Sequence, residues 1–160
     1  MIRTAVLTVS DGVAAAKRED TSGAAIAKWI KARNWELVEH RIVPDETTDI
    51  AACLTRWADG ERVDLVLTTG GTGFGPRDVT PEATASVVER PAPGLAEALR
   101  AAGRDSTPFA ALSRGVAGIR GRTLIVNLPG SRSAVVEGLS LLEELLPHAV
   151  DIVKGKTDHG

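Results

Sequence analysis

Residues 64–69, DLVLTT, form a short run that stops on a pair of glycines, Gly70 and Gly71. Its centre, Leu65-Val66-Leu67, is apolar without alternation, so it reads as a strand covered on both faces rather than a solvent-facing one. Such a strand needs helices above and below it, and the rest of the chain supplies them. Thr4–Val9 is a second β-branched run, followed by a helix to Arg33 capped by Thr21 or Ser22, with Ala25, Ile26, Trp29 and Ile30 as its apolar stripe. Glu36–Val43 reads as a strand ended by Pro44, and a helix from Thr47 or Thr48 to Ala58 stops at Gly60. Pro81 after Thr80 predicts a helix with Thr80 as N-cap, and another follows over Gly94–Ala102. Gly115–Ile119 and Arg122–Asn127 suit two strands around a glycine-containing turn. A closing helix, capped by Ser131 or Ser133, places Val135, Leu139, Leu142 and Leu146 on one face. Strands alternating with helices predict an α/β fold: a three-layer αβα sandwich with a mostly parallel sheet and a late antiparallel strand. Residues 1–155 are expected to form one domain, with a polar tail at 156–160.

Charge and special residues narrow the function. A net charge of −2 offers no cationic field for nucleic acid or for an anionic membrane surface. Cys53 is the only cysteine, which excludes an internal disulfide, and its helical spacing from Ile50, Leu54 and Trp57 predicts a buried apolar filler. His40, His148 and His159 are scattered without zinc-site spacing, and each is given a structural or solvent role. No signal-peptide layout and no membrane-length apolar run occur, so a cytoplasmic protein is expected.

Ligands of parallel α/β sheets bind beyond the carboxyl ends of the strands, which here means after Val9, Val43, Thr69 and Asn127. The segment after Thr69, Gly70-Gly71-Thr72-Gly73-Phe74-Gly75-Pro76-Arg77-Asp78, can bring main-chain N–H groups close to an anion, with the Thr69 and Thr72 hydroxyls as added donors. It is neither a Walker loop nor G-x-G-x-x-G, and a plain strand-to-helix turn is equally open. Asp45 and Asp78 each follow a predicted strand and can face one crevice. Asp45 can instead cap the next helix, and Asp78 can brace the turn before Thr80. Asp11, in Ser10-Asp11-Gly12, has a turn reading of its own. Asn127-Leu128-Pro129-Gly130-Ser131 turns directly into a helix whose first N–H groups are free, a second potential anion site. Two such sites on one sheet edge suggest a ligand with more than one phosphate.

The stretch Val66 to Ala83, with its Gly-Gly-Thr-Gly and Arg-Asp-Val-Thr-Pro-Glu-Ala, resembles the signature of the molybdopterin adenylyltransferase family, which includes MogA-type bacterial proteins and the G domains of gephyrin. Ser10-Asp11-Gly12, Asp20-Thr21-Ser22-Gly23, Ile42-Val43-Pro44-Asp45, Leu112-Ser113-Arg114 and Ile125 through Gly130 also fit. The resemblance implies a homotrimeric αβα sandwich with Mg²⁺-dependent activity on ATP and molybdopterin. It places the two key aspartates at Asp45 and Asp78, as Mg²⁺ ligands, and the nucleotide loop at Gly70 to Gly73 beside Thr69, with Asn127, Pro129 and Gly130 nearby. Ser22 falls in the matched Asp-x-Ser-Gly, and Ser113 matches a pterin-side serine. After Gly130 the chain departs from the pattern, with Ser131-Arg132-Ser133 where relatives often carry Asn-Pro or Gln-Pro. The implied reaction joins AMP from ATP to the phosphate of molybdopterin, with the product passed to a molybdenum insertase. Arg77 or Arg132 can add positive charge. The same signature occurs in MoaB-type proteins, so a pterin carrier without turnover is the alternative.

Overall fold

A computed structural model describes residues 1–156; residues 157–160, which hold His159 and most of the expected polar tail, lie outside the described residues. Six strands form one sheet in the order β2-β1-β3-β6-β5-β4. They are β1 (Arg3–Val9), β2 (Glu36–Val43), β3 (Leu65–Thr69), β4 (Arg90–Pro91), β5 (Ala117–Arg120) and β6 (Thr123–Leu128). β2, β1, β3 and β6 run parallel, while β5 is antiparallel to both β6 and β4. The hairpin from β5 to β6 turns at Gly121, whose φ of 57° lies in the left-handed region that glycine adopts at little cost.

The helices are α1 (Asp11–Ala14), α2 (Thr21–Ala32), α3 (Thr47–Asp59), α4 (Thr80–Val87), α5 (Pro93–Gly103) and α6 (Arg132–Val153), with a 3₁₀ turn at Pro108–Leu112. Period-two alternation along the strands sorts the side chains into two cores. Val6, Leu65, Leu67, Leu124 and Val126 face α2 and α6, while Leu7, Val66 and Ile125 face α3 and α4. The predicted stripe of α6, Val135, Leu139, Leu142 and Leu146, is fully buried, each side chain stabilising the fold by about 1.5–3 kcal/mol. Cys53 packs in the α3 core as expected, and burial pushes its thiol up to about 11.

The caps depart from the sequence expectation in two places. Asp20, not Thr21 or Ser22, caps α2, its Oδ1 accepting from Gly23 N at 2.9 Å. Thr80 is the first helical residue of α4 rather than its cap, because its hydroxyl donates to Gly70 O at 2.9 Å. A tertiary bond to the glycine loop has displaced the local one. Ser131 does cap α6.

At the amino end of the strands a buried carboxylate is matched by cations. Asp64 accepts from Arg3 N at 2.9 Å and from Arg3 Nη2 at 2.8 Å, and Lys154 Nζ lies 3.4 Å away. Burial alone would raise its pKa, but the Arg3 bonds and the Lys154 charge outweigh it and bring the group to about 2.

Candidate functional site

The carboxyl ends of four parallel strands finish level with one another: Val9 pairs with Val43, Thr8 with Thr69, and Thr69 with Leu128. α2 leaves β1 toward one face and α3 leaves β2 toward the other, so the connections part between β1 and β3. A crevice opens at such a point. Here it is a cavity of about 700 Å³, and Ser22, Asp45, Thr69, Gly70, Gly71, Asp78 and Gly130 all border it. Gly71 has φ 69°, and a Cβ there would lie 2.3 Å from Thr80 Oγ1 and 3.1 Å from Asp45 Oδ1. The glycine is required by the packing of the loop on α4, whether or not a ligand is bound.

Asp45 does not cap α3, whose N-cap Glu46 makes no side-chain cap bond. Instead Asp45 and Asp11 clasp each other. Asp11 N donates to Asp45 Oδ2 at 2.8 Å, and Asp45 N donates to Asp11 Oδ1 at 3.0 Å. Arg77 is consumed by this clasp, since it pairs with Asp11 at 3.1 Å and with Glu46 at 2.9 Å. The Arg77 bond holds the Asp11 carboxyl below its usual range. Burial raises that of Asp45, opposed by the Asp11 N–H but reinforced by the charges of Asp11 and Asp78.

Asp78 braces its own turn, its Oδ2 accepting from Gly75 N at 2.9 Å, and it also borders the cavity. Both readings of this residue therefore hold together. Asp45 Oδ1 and Asp78 Oδ1 receive no hydrogen bond among the described residues. Asp45 and Asp78 each present a spare oxygen to the cavity, and burial and neighbouring charges disfavour the Asp45 anion. Among the described residues no group of three or more His, Cys, Asp or Glu could hold a metal. A pair of carboxylates fits Mg²⁺, which takes one or two from the protein and fills its shell with phosphate oxygens and water.

Another wall of the cavity is formed around Asp20. Asp20 Oδ2 accepts from Thr8 Oγ1 at 2.8 Å and lies 3.1 Å from His40 Nε2. His40 lies 20 positions after Asp20 in the sequence, a separation that leaves no spacing signal for their contact. Ser22 is buried beside Asp20 and its hydroxyl has no partner among the described residues. Arg132 borders the same cavity with no carboxylate partner among the described residues, and Arg18 donates only to Ser10 Oγ at 3.3 Å.

The remaining residues singled out in the sequence lie elsewhere. Ser113, Asn127 and Pro129 border a second, mainly apolar cavity of about 250 Å³ between α5, the 3₁₀ turn and α6. The Asn127 side chain is already engaged, its Oδ1 accepting from Val116 N and its Nδ2 donating to Thr68 and Thr84. The Thr69 hydroxyl donates to Pro129 O at 2.6 Å. Thr72 and Gly73 border neither cavity. Their carbonyls instead accept from Arg114, its main-chain N at 2.7 Å and its Nε at 2.8 Å. Pro129–Ser131 divides the two spaces, with Ser131 bordering both.

Comparison with known proteins agrees with this geometry. A family model described as a probable molybdopterin binding domain matches residues 5–148. The structure of the molybdopterin biosynthesis enzyme MoaB from Thermus thermophilus superposes with a TM-score of 0.91 at 50% identity, covering 97% of this chain and 98% of that one. The molybdopterin adenylyltransferase of Helicobacter pylori is 39% identical over 156 residues, 96% of this chain and 89% of that protein. The Drosophila melanogaster molybdenum cofactor synthesis protein cinnamon is 45% identical over 150 residues, which is 92% of this chain but only 25% of cinnamon. The chain belongs to the molybdopterin-binding domain family of molybdenum cofactor biosynthesis. Among the described residues no helix is long and apolar enough to cross a membrane.

Proposed function

We propose that this chain is a molybdopterin adenylyltransferase, joining the AMP unit of ATP to the terminal phosphate of molybdopterin. The observation that carries this reading is the pair Asp45 and Asp78 on one polar cavity, each with an oxygen that no protein group uses. The pterin phosphate oxygen forms a bond to the α-phosphorus of ATP, the bond from that phosphorus to the bridging oxygen breaks, and pyrophosphate leaves. The attacking oxygen is already anionic at neutral pH, so no general base is required. The barrier lies in bringing several anions together and in stabilising the leaving pyrophosphate.

Carboxylates facing phosphates directly would repel them, which assigns Asp45 and Asp78 to holding Mg²⁺. That ion would neutralise phosphate charge at the reacting centre. Arg132 and Arg18 add positive charge on the same cavity, and Ser22 offers an uncommitted hydroxyl. Arg77, tied to Asp11 and Glu46, fixes the Asp11–Asp45 clasp rather than meeting phosphate. The apolar cavity beside Ser113 suits the flat pterin ring, while the polar cavity takes the nucleotide phosphates.

The name of the Helicobacter relative supports the activity. A homotrimer and transfer of the product to a molybdenum insertase are carried by the family resemblance. A sedimentation profile of a stable monomer at micromolar concentration would remove the trimer. The activity is tested by incubating the protein with ATP, Mg²⁺ and molybdopterin and weighing the products. Adenylylated pterin together with pyrophosphate is expected. Tight pterin binding with intact ATP would establish the carrier reading instead.

A further inference from the structure

We infer that Arg114 is a positioning residue that sets the glycine loop and Asp78 in place for the Mg²⁺–nucleotide complex. The inference rests on the adenylyl-transfer reading, but its test includes a binding measurement independent of turnover.

The guanidinium joins two points of the loop that follows β3 to one on helix α4. Its Nε donates to Gly73 O at 2.8 Å, its Nη2 to Asp78 O at 2.7 Å, and its Nη1 to the Glu82 carboxylate at 2.8 and 3.0 Å. The Arg114 main-chain N adds a bond to Thr72 O at 2.7 Å. Two of the side-chain bonds end on loop carbonyls that no helix or strand satisfies, and one of those belongs to Asp78 itself. The planar fork of arginine suits such divergent acceptors, whereas a lysine ammonium is a single point that cannot span them. The Asp78 side chain is held from the opposite direction by Gly75 N. Main chain and carboxylate of Asp78 are thus fixed independently, as a metal ligand requires.

Arg114 is itself anchored without its side chain. Arg100, from α5, donates to Ser113 O at 3.3 Å and Gly115 O at 2.8 Å, and Asn127 Oδ1 accepts from Val116 N at 3.1 Å. Truncating Arg114 therefore leaves the Ser113 segment and the apolar cavity where they are, and frees only the loop. This separation makes the role measurable.

In Arg114→Ala, calorimetry should find ATP affinity in the presence of Mg²⁺ weakened about tenfold, the scale expected when the support of a metal ligand is removed. Affinity in EDTA should change much less. With molybdopterin, kcat should fall by about 10²-fold through misplacement of the reacting groups, while KM for the pterin stays near wild type. Millimolar guanidinium should restore part of the loss in Arg114→Ala and none in Asp78→Asn. Arg114→Lys should resemble Arg114→Ala, and Glu82→Gln, which keeps both carbonyl bonds, should retain most activity. Circular dichroism confirms the fold of each variant. Wild-type Mg²⁺–ATP affinity and kcat in folded Arg114→Ala would overturn the inference. So would a loss in Glu82→Gln as large as in Arg114→Ala, because the ion pair would then be the operative contact. If the wild-type protein itself made no adenylylated pterin, the functional reading would fall, and the Mg²⁺–ATP affinities would still decide the positioning role.

Discussion

Asp64 and Asp45 lie at opposite ends of the same sheet and under opposite electrostatics. Asp64 is almost fully buried, yet Arg3 and Lys154 supply the charge that burial demands, and its pKa falls to about 2. Asp45 is pushed the other way, since burial raises its pKa and the nearby Asp11 and Asp78 add like charge. The Arg77 cation, paired with Asp11 and Glu46, pulls it down only as the smallest of these influences. A carboxylate kept for stability is neutralised by the fold itself. Under the proposed function, Asp45 is the carboxylate whose charge a bound Mg²⁺ would balance.

Asp78→Asn and Asp45→Asn should each lower adenylyl transfer by about 10²–10³-fold, the scale of losing one electrostatic stabiliser in a phosphoryl or acyl transfer site. Their folding stability should shift by no more than about 0.5 kcal/mol, because asparagine preserves the size and one acceptor oxygen. Product formation over a range of Mg²⁺ concentrations, with urea unfolding alongside, reads both quantities.

Asp64→Asn should do the reverse. Removing the acceptor charge of a buried pair leaves Arg3 and Lys154 partly uncompensated and should cost about 2–3 kcal/mol, with turnover per folded molecule unchanged. The acid dependence carries the same signature. Because the folded pKa of Asp64, about 2, lies below its ordinary value of 3.8, its stabilisation is present above pH 4 and is lost as pH falls toward 2. Acid unfolding of Asp64→Asn should lack that component. Asp45 has a raised pKa, so its ionisation costs the unliganded fold stability as pH rises, and Asp45→Asn should remove that cost.

The smallest effect belongs to the cysteine. Cys53→Ala should lower stability by about 1 kcal/mol through a modest cavity and leave turnover per folded molecule intact. With its thiol at about 11, Cys53 should also resist alkylation at pH 8 in the native state. A folded Cys53→Ala protein without activity would contradict its placement as core.

The strands and long helices were legible because each carries an apolar run or stripe long enough to read. The short elements were not: α1 and β4 contain too few residues for any period to show. Thr80 before Pro81 looks like a cap, and only the approach of Gly70 O reveals its other partner. The aspartates were legible as candidates because each follows a strand, and for Asp78 the turn-bracing and cavity readings turned out to describe one residue at once. Arg114 was not legible as a loop clamp, because its contacts are main-chain carbonyls of residues 36 and 41 positions earlier, which leave no mark on sequence spacing. The division of the proposed site between two cavities was equally hidden, since Asn127 to Gly130 reads as one motif while its residues face different spaces.

The claim that the carboxyl end of the sheet is completed by a metal–nucleotide complex is tested most directly by following single carboxylate carbons by NMR across pH. Asp64 should titrate near 2 whether or not ligand is present. Asp45 should titrate above its ordinary value in the free protein and move down when Mg²⁺ and ATP are added together, but not with either alone. An Asp45 titration unaffected by Mg²⁺ and ATP would contradict the account, leaving the carboxylate pair as a feature of the loop and not of the reaction.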